Sequence, residues 1–144
     1  MKYANKKGKV VEGTSGYEIV AEARGLTVIK YESFGSYQGE WIMLARNKKK
    51  FYIFKDSFGS CSYCDHYQST FDDYGSEPIY PWEKVEKFIN EFKPFLEIPE
   101  KQFMELYRTN SLLSIFPANM NDKYSEIDLP AFVTSIKLEE VKHG

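Results

Sequence analysis

Two cysteines in 144 residues are too few to staple a domain of this size, and no stretch approaches the roughly 18 consecutive apolar residues of a membrane span. Charge of one sign is also scarce, since 19 basic and 21 acidic residues leave a net charge of −2. That balance argues against a general binder of phosphate backbones, which needs a basic excess on one face. It is equally too mild for an acidic mimic of nucleic acid. Residues 1–10 hold four lysines with no apolar run after them, so no secretory leader is read there. The chain is therefore expected to be soluble, intracellular and cytoplasmic, with no membrane partner. In that compartment two cysteines are expected as thiols or metal ligands rather than as a structural disulfide. Also missing are a Walker-type phosphate loop, a dinucleotide glycine pattern, a Gly-x-Ser-x-Gly elbow and a His-Glu-x-x-His pair. Motifs therefore support no enzyme class.

Rings are what the chain has in excess, with 11 Tyr, 11 Phe and 2 Trp. Aromatic residues favour strands and dominate cores, and they are enriched at recognition surfaces because they bring large area with little rotamer entropy. The length fits a single domain over 1–144, with the Lys-, Gly- and Ser-rich residues 1–16 as a loose arm or a short edge strand. So small a domain cannot bury every ring, and some tyrosines are expected at the surface.

Alternation predicts a first strand over Tyr17–Ala23 and a second over Leu26–Tyr31, joined by a tight turn at Arg24-Gly25. A third strand is predicted over Tyr37–Arg46, with Trp41, Met43 and Ala45 on one side and Ile42 and Leu44 on the other. Apolar groups on both sides mark it as central and covered twice. After the polar reversal Asn47–Lys50, Phe51–Phe54 forms the fourth strand, and a short helical turn is expected near Ser62–Gln68. Beyond Pro81 the period changes. Trp82, Val85, Phe88, Ile89 and Phe92 define one face of a helix that Pro94 ends. Phe95–Ile98 reads as a short extended piece, and Pro99 opens a helix with Phe103, Leu106 and Tyr107 inward. Leu112–Phe116 has strand length. Asp128 and Pro130 look like the cap and first turn of a last helix, against a competing strand over Phe132–Leu138. The fold class expected is α+β: an antiparallel sheet of about four strands in the N-terminal half, packed on one face by two or three helices of the C-terminal half.

The stretch Phe58-Gly59-Ser60-Cys61-Ser62-Tyr63-Cys64-Asp65-His66 carries both cysteines and one of the two histidines. Cys61, Cys64 and His66 supply three of the roughly four ligands that zinc wants, and a fourth would come from His143, from Asp65, Asp72 or Asp73, or from water. The second Cys-x-x-Cys pair usual in such sites is missing. A redox pair, or a cysteine nucleophile with His66 as base, are further readings. The plainer one makes the cysteines small buried apolar groups in a tight loop, with Ser60 and Asp65 hydrogen-bonding local backbone amides. No cofactor is the default expectation, with zinc as the alternative. Lys48–Lys50 reads as a solvated turn, with contact to phosphates of nucleic acid as its alternative.

Tyr37-Gln38-Gly39-Glu40-Trp41, followed by Gly59-Ser60-Cys61-Ser62-Tyr63-Cys64-Asp65, resembles a pattern of small uncharacterised phage and viral proteins over residues 34–68. The resemblance implies a viral or mobile-element context and a host component as partner; it transfers no catalytic residue. Together with the ring excess it leads to the expectation of a non-enzymatic protein-binding accessory factor. Its candidate anchors are Trp41, Tyr52, Tyr63, Tyr67 and Tyr74, and for Trp41 the core is the competing location.

Overall fold

A computed structural model of the chain describes residues 1–59, 65–71, 78–117 and 125–142. Strands β1 (Lys2–Ala4) and β2 (Val10–Glu12) form an antiparallel hairpin. Helix α1 (Ile19–Glu22) leads to three long antiparallel strands, β3 (Thr27–Gly35), β4 (Gly39–Arg46) and β5 (Lys50–Phe58). Helix α2 (His66–Phe71) and strand β6 (Ile79–Tyr80) precede helix α3 (Trp82–Ile89). Strand β7 (Leu96–Pro99), helix α4 (Glu100–Arg108), a 3-10 turn (Leu112–Ile115) and helices α5 (Leu129–Thr134) and α6 (Leu138–Lys142) complete the described elements. The expected α+β class is present. A four-stranded antiparallel sheet runs in the order β3-β4-β5-β7, and a smaller sheet in the order β2-β1-β6, with β1 parallel to β6.

Strand β4 explains the layering. Trp41 to Arg46 are all buried, so the strand must be covered twice. On one face Trp41, Met43 and Ala45 pack with Ile19, Val20 and Ala21 of α1 and with Val85, Phe88 and Ile89 of α3. On the other, Ile42 and Leu44 pack with Phe103 of α4, with Leu129 and Phe132 of α5 and with Val141 of α6. The expectation of helices on a single face is thus corrected. The apolar faces of α3 and α4 close opposite sides of the sheet. Each Leu, Ile or Phe buried this way contributes about 1.5–3 kcal/mol of transfer free energy.

Residues 17–23 are not a strand. Tyr17, Ile19, Val20 and Ala21 are buried in near-unbroken succession, whereas alternation would expose every second residue. Gly25, at φ +82°, is the C′ glycine of α1 rather than a hairpin turn. Leu26 N–H donates to Ala21 O at 3.1 Å and Gly25 N–H to Glu22 O at 3.0 Å, the paired bonds of a Schellman motif. Helix α4 ends the same way, with Asn110 at φ 57° and Ser111 N–H reaching back to Leu106 O at 2.8 Å. The fourth place in the main sheet belongs to β7, which pairs with β5 through Phe51↔Ile98 and Ile53↔Leu96. Leu112–Ile115 is a 3-10 turn and not a strand, because Ser114 N–H and Oγ–H both donate to Ser111 O and hold it closed. At α5 the helical reading holds: Asp128 accepts from Ala131 N–H at 3.1 Å as its cap.

Two arginines tie the layers together. Arg24 donates to Ile89 O and Phe92 O, satisfying carbonyls at the C-terminus of α3. Arg46, 7 % exposed, lies over the Phe51 ring at 4.5 Å and donates to Val141 O of α6 and to Glu100 of α4 at 2.8 Å. Phe51 in turn stacks on Phe103, centroids 3.8 Å apart.

Candidate functional site

A hydrogen-bonded polar site lies where the start of α1, β3, the end of β5 and the start of α2 meet. Asp65 is its fixed point. The residue is 4 % exposed, and both carboxylate oxygens are bonded. Oδ1 accepts from Tyr17 O–H at 2.9 Å and from Gln68 N–H at 3.0 Å, and Oδ2 accepts from Gly59 N–H at 3.1 Å. The bond to Gln68 caps α2, and the bond to Gly59 fixes the chain on the far side of segment 60–64. The expectation that Asp65 bonds local amides is met, and one carboxylate clamps both ends of that segment.

Tyr17 carries the clamp into the core. Its hydroxyl donates to Asp65 and accepts from Tyr67 N–H at 3.2 Å, while its ring stacks on Trp41 with centroids 5.1 Å apart. The two halves of the pattern quoted for residues 37–41 and 59–65 are thereby joined through a residue outside both. Gly39 has a steric reason to lack a side chain: a Cβ there would come within 1.9 Å of Phe34 O. Trp41 Nε1 is buried without an acceptor among the described residues.

In front of Tyr17 opens a cleft of about 310 Å³, lined by Tyr17, Glu18, Tyr31, Phe58, Asp65 and Tyr67 together with Ser15, Gly16, Ser33 and Gln68. Tyr31, Phe58 and Tyr67 are half-buried. Burial, helped by the charges of Glu18 and Asp65, pushes the Tyr31 phenol up to about 12. Burial likewise raises the Tyr17 and Tyr67 phenols, so the hydroxyls stay protonated at neutral pH. Burial also raises the Glu18 carboxyl, with the neighbouring Glu22 charge adding to the effect.

A pH dependence follows. The unfolded phenol ionises near pH 10 and the folded Tyr31 phenol only near 12, so between these values the unfolded state holds fewer protons. The contribution is whole below pH 10 and is lost as pH climbs through the folded value, at no more than about 1.4 kcal/mol per pH unit per group. Urea midpoints measured from pH 9 to 12 should fall less steeply in Tyr31→Phe than in the parent; equal slopes would remove this role for Tyr31.

The predicted site residues are scattered. Trp41 is fully buried and cannot serve as a surface anchor, because β4 is covered on both faces; it is core. Tyr52 is half-buried on β5, its hydroxyl accepting from Asn47 Nδ2 at 3.2 Å, away from the cleft. Tyr67 is in the cleft. His66 stacks on Phe88 at 5.0 Å and pairs with Glu91. Among the described residues no group of three His, Cys, Asp or Glu is placed to hold a metal ion. Ser60, Cys61, Tyr63, Cys64, Asp72, Asp73, Tyr74 and His143 lie outside the described residues. At the lysine tip Asn47 Oδ1 accepts from Lys49 and Lys50 N–H, and Lys50 pairs with Glu97 at 3.5 Å, as in a solvated turn. Sequence reading missed Tyr17, Glu18 and Tyr31 as site residues. A tyrosine-glutamate pair directly after a glycine, ahead of a buried run, was the available signal.

Fold and site together define an α+β protein with helices on both faces of an antiparallel sheet and an acidic, tyrosine-lined cleft at one end of it. Against protein-family models, curated proteins and solved structures the chain finds no match, so its own geometry carries the functional argument. No helix among the described residues is long and apolar enough to cross a membrane.

Proposed function

We propose that this chain is a non-enzymatic binding protein that receives a partner protein at the sheet end carrying the tyrosine cleft. The observation that supports this most is the Asp65 clamp: both carboxylate oxygens are spent on three hydrogen bonds that fix the cleft walls before any partner arrives. Pre-organisation of this kind lowers the entropy lost on binding. Half-buried Tyr31 and Tyr67 offer ring area with few rotors, and Tyr37, 82 % exposed at the tip of the β3–β4 hairpin, crowns the same end of the sheet. Phe58 opposite Gly39 and Ser33 opposite Trp41 bring the cleft close to that tip. In this proposal the partner is a host protein, in keeping with the resemblance to phage and viral proteins.

Affinity capture from lysate of the presumed host should recover a specific protein that a Tyr31→Leu, Tyr37→Ser chain retains at least about 30-fold less well, the loss expected when an aromatic anchor worth about 2 kcal/mol is removed. Recovery of nothing above background, or equal capture by the double variant, would refute the role.

A further inference from the structure

The cleft combines three features that point to one class of ligand. Its lining is aromatic in part, with Tyr31, Phe58 and Tyr67 half-buried among small and polar residues. Two carboxylates, Glu18 and Asp65, line it, whereas among the described lining residues there is no lysine, arginine or histidine. Both acids act electrostatically on the Tyr31 phenol, so their fields converge at that ring. They differ in how they are satisfied. Asp65 is saturated with donors, but Glu18, half-buried, has no hydrogen-bonded or ion-paired side-chain partner among the described residues. The neighbouring charge that acts on it is another acid, Glu22, which itself accepts from Thr14 N–H and O–H. A half-buried carboxylate with no ion-pair partner among the described residues, in a cleft that three aromatic side chains help to line, is an incomplete arrangement that a cation completes. Rings attract ammonium groups through their quadrupole and the carboxylate adds direct Coulomb attraction. At about 310 Å³ the space is at the small end of ligand pockets, enough for a compact head group on a slim stem.

We infer that the cleft binds an alkylammonium group, presented by a lysine or methylated lysine side chain of the partner protein. This rests on the binding role proposed above and specifies what the partner must insert. A free quaternary ammonium compound shares the chemistry, and the experiment separates the two sources.

The chain has two tryptophans, so Trp82→Phe leaves Trp41, which stacks on Tyr17, as the reporter behind the cleft wall. That protein is titrated with Nα-acetyl-trimethyl-lysine amide, Nα-acetyl-lysine amide, choline and tetramethylammonium, at ionic strength held constant with sodium chloride. The uncharged choline isostere 3,3-dimethylbutanol serves as control, and binding is followed by fluorescence and calorimetry. Saturable binding of the cations is expected, with the neutral isostere at least about tenfold weaker. Glu18→Gln should weaken binding about fivefold and Tyr31→Leu about tenfold, with circular dichroism unchanged. Glu18→Gln is the decisive variant, because it alters no core contact. No saturation with any cation, equal binding of the isostere, or unchanged affinity in Glu18→Gln each overturns the inference. Binding of choline with both lysine derivatives failing overturns the side-chain source. Capture of a protein partner that survives Glu18→Gln overturns the cation reading alone; cation binding with no protein partner overturns the binding role instead.

Discussion

An Asp65→Ala chain should unfold about 3 kcal/mol more easily than the parent in urea. Among the described residues three donors converge on this one buried carboxylate: Tyr17 just before α1, Gly59 just after β5 and Gln68 in the first turn of α2. Hydrogen bonds to a charged acceptor contribute about 1.5–3 kcal/mol each, and loss of a helix cap costs about 1 kcal/mol. These terms overlap, because the freed donors recover some bonds to water through the open cleft, and about 3 kcal/mol is what remains. Asp65→Asn should lose less, about 1–2 kcal/mol, since its amide keeps one oxygen but sets a donor against another donor. The two walls of the clamp are coupled through one acceptor. A double-mutant cycle of Asp65→Ala with Tyr17→Phe should therefore show an interaction energy above about 0.5 kcal/mol. A stability loss under about 1 kcal/mol in Asp65→Ala would mean that the clamp does not hold the site.

Truncation of Trp41 should be the most damaging single change on the sheet, at about 3–5 kcal/mol for Trp41→Ala. The indole is fully buried between Tyr17, Tyr31 and Phe92, with centroids 5.1, 5.9 and 6.0 Å away. Removing it opens a cavity between β4 and the rings that pack on it. Trp41→Phe should cost much less, about 1–2 kcal/mol, because it also removes an indole N–H that has no acceptor among the described residues. A surface anchor would behave in the opposite way, with stability moving by no more than about 0.5 kcal/mol and partner affinity falling. Chemical denaturation of the two variants separates the cases, and a near-neutral Trp41→Ala would return this residue to the surface.

Local signals were legible. The alternation in 41–45 announced a strand with two apolar faces, and β4 is buried on both. The three- and four-residue steps through Val85, Phe88 and Ile89 announced α3, and Asp128 announced the cap of α5. The error at Tyr17–Ala23 shows where such signals end. A four-residue helix makes barely one turn, too little for the 3.6-residue period to repeat, so Tyr17, Ile19 and Ala21 fit a strand as well as a buried turn. Gly25 is then ambiguous too, because a left-handed residue ends a helix as readily as it turns a hairpin.

The sequence by itself determined that faces exist: which side of β4, α3 and α4 is apolar, and that the rings outnumber what a core of this size can hide. Only the tertiary structure decided what meets those faces, because a period records that a side is buried and carries no label for the element that buries it. Tyr17 and Asp65 are 48 positions apart and hydrogen-bond only because α1 and α2 are brought to one end of the same sheet. Glu18 is an ordinary surface acid in the sequence, and it becomes a half-buried acid without an ion-pair partner among the described residues once the fold sets it beside Tyr31 in a cleft.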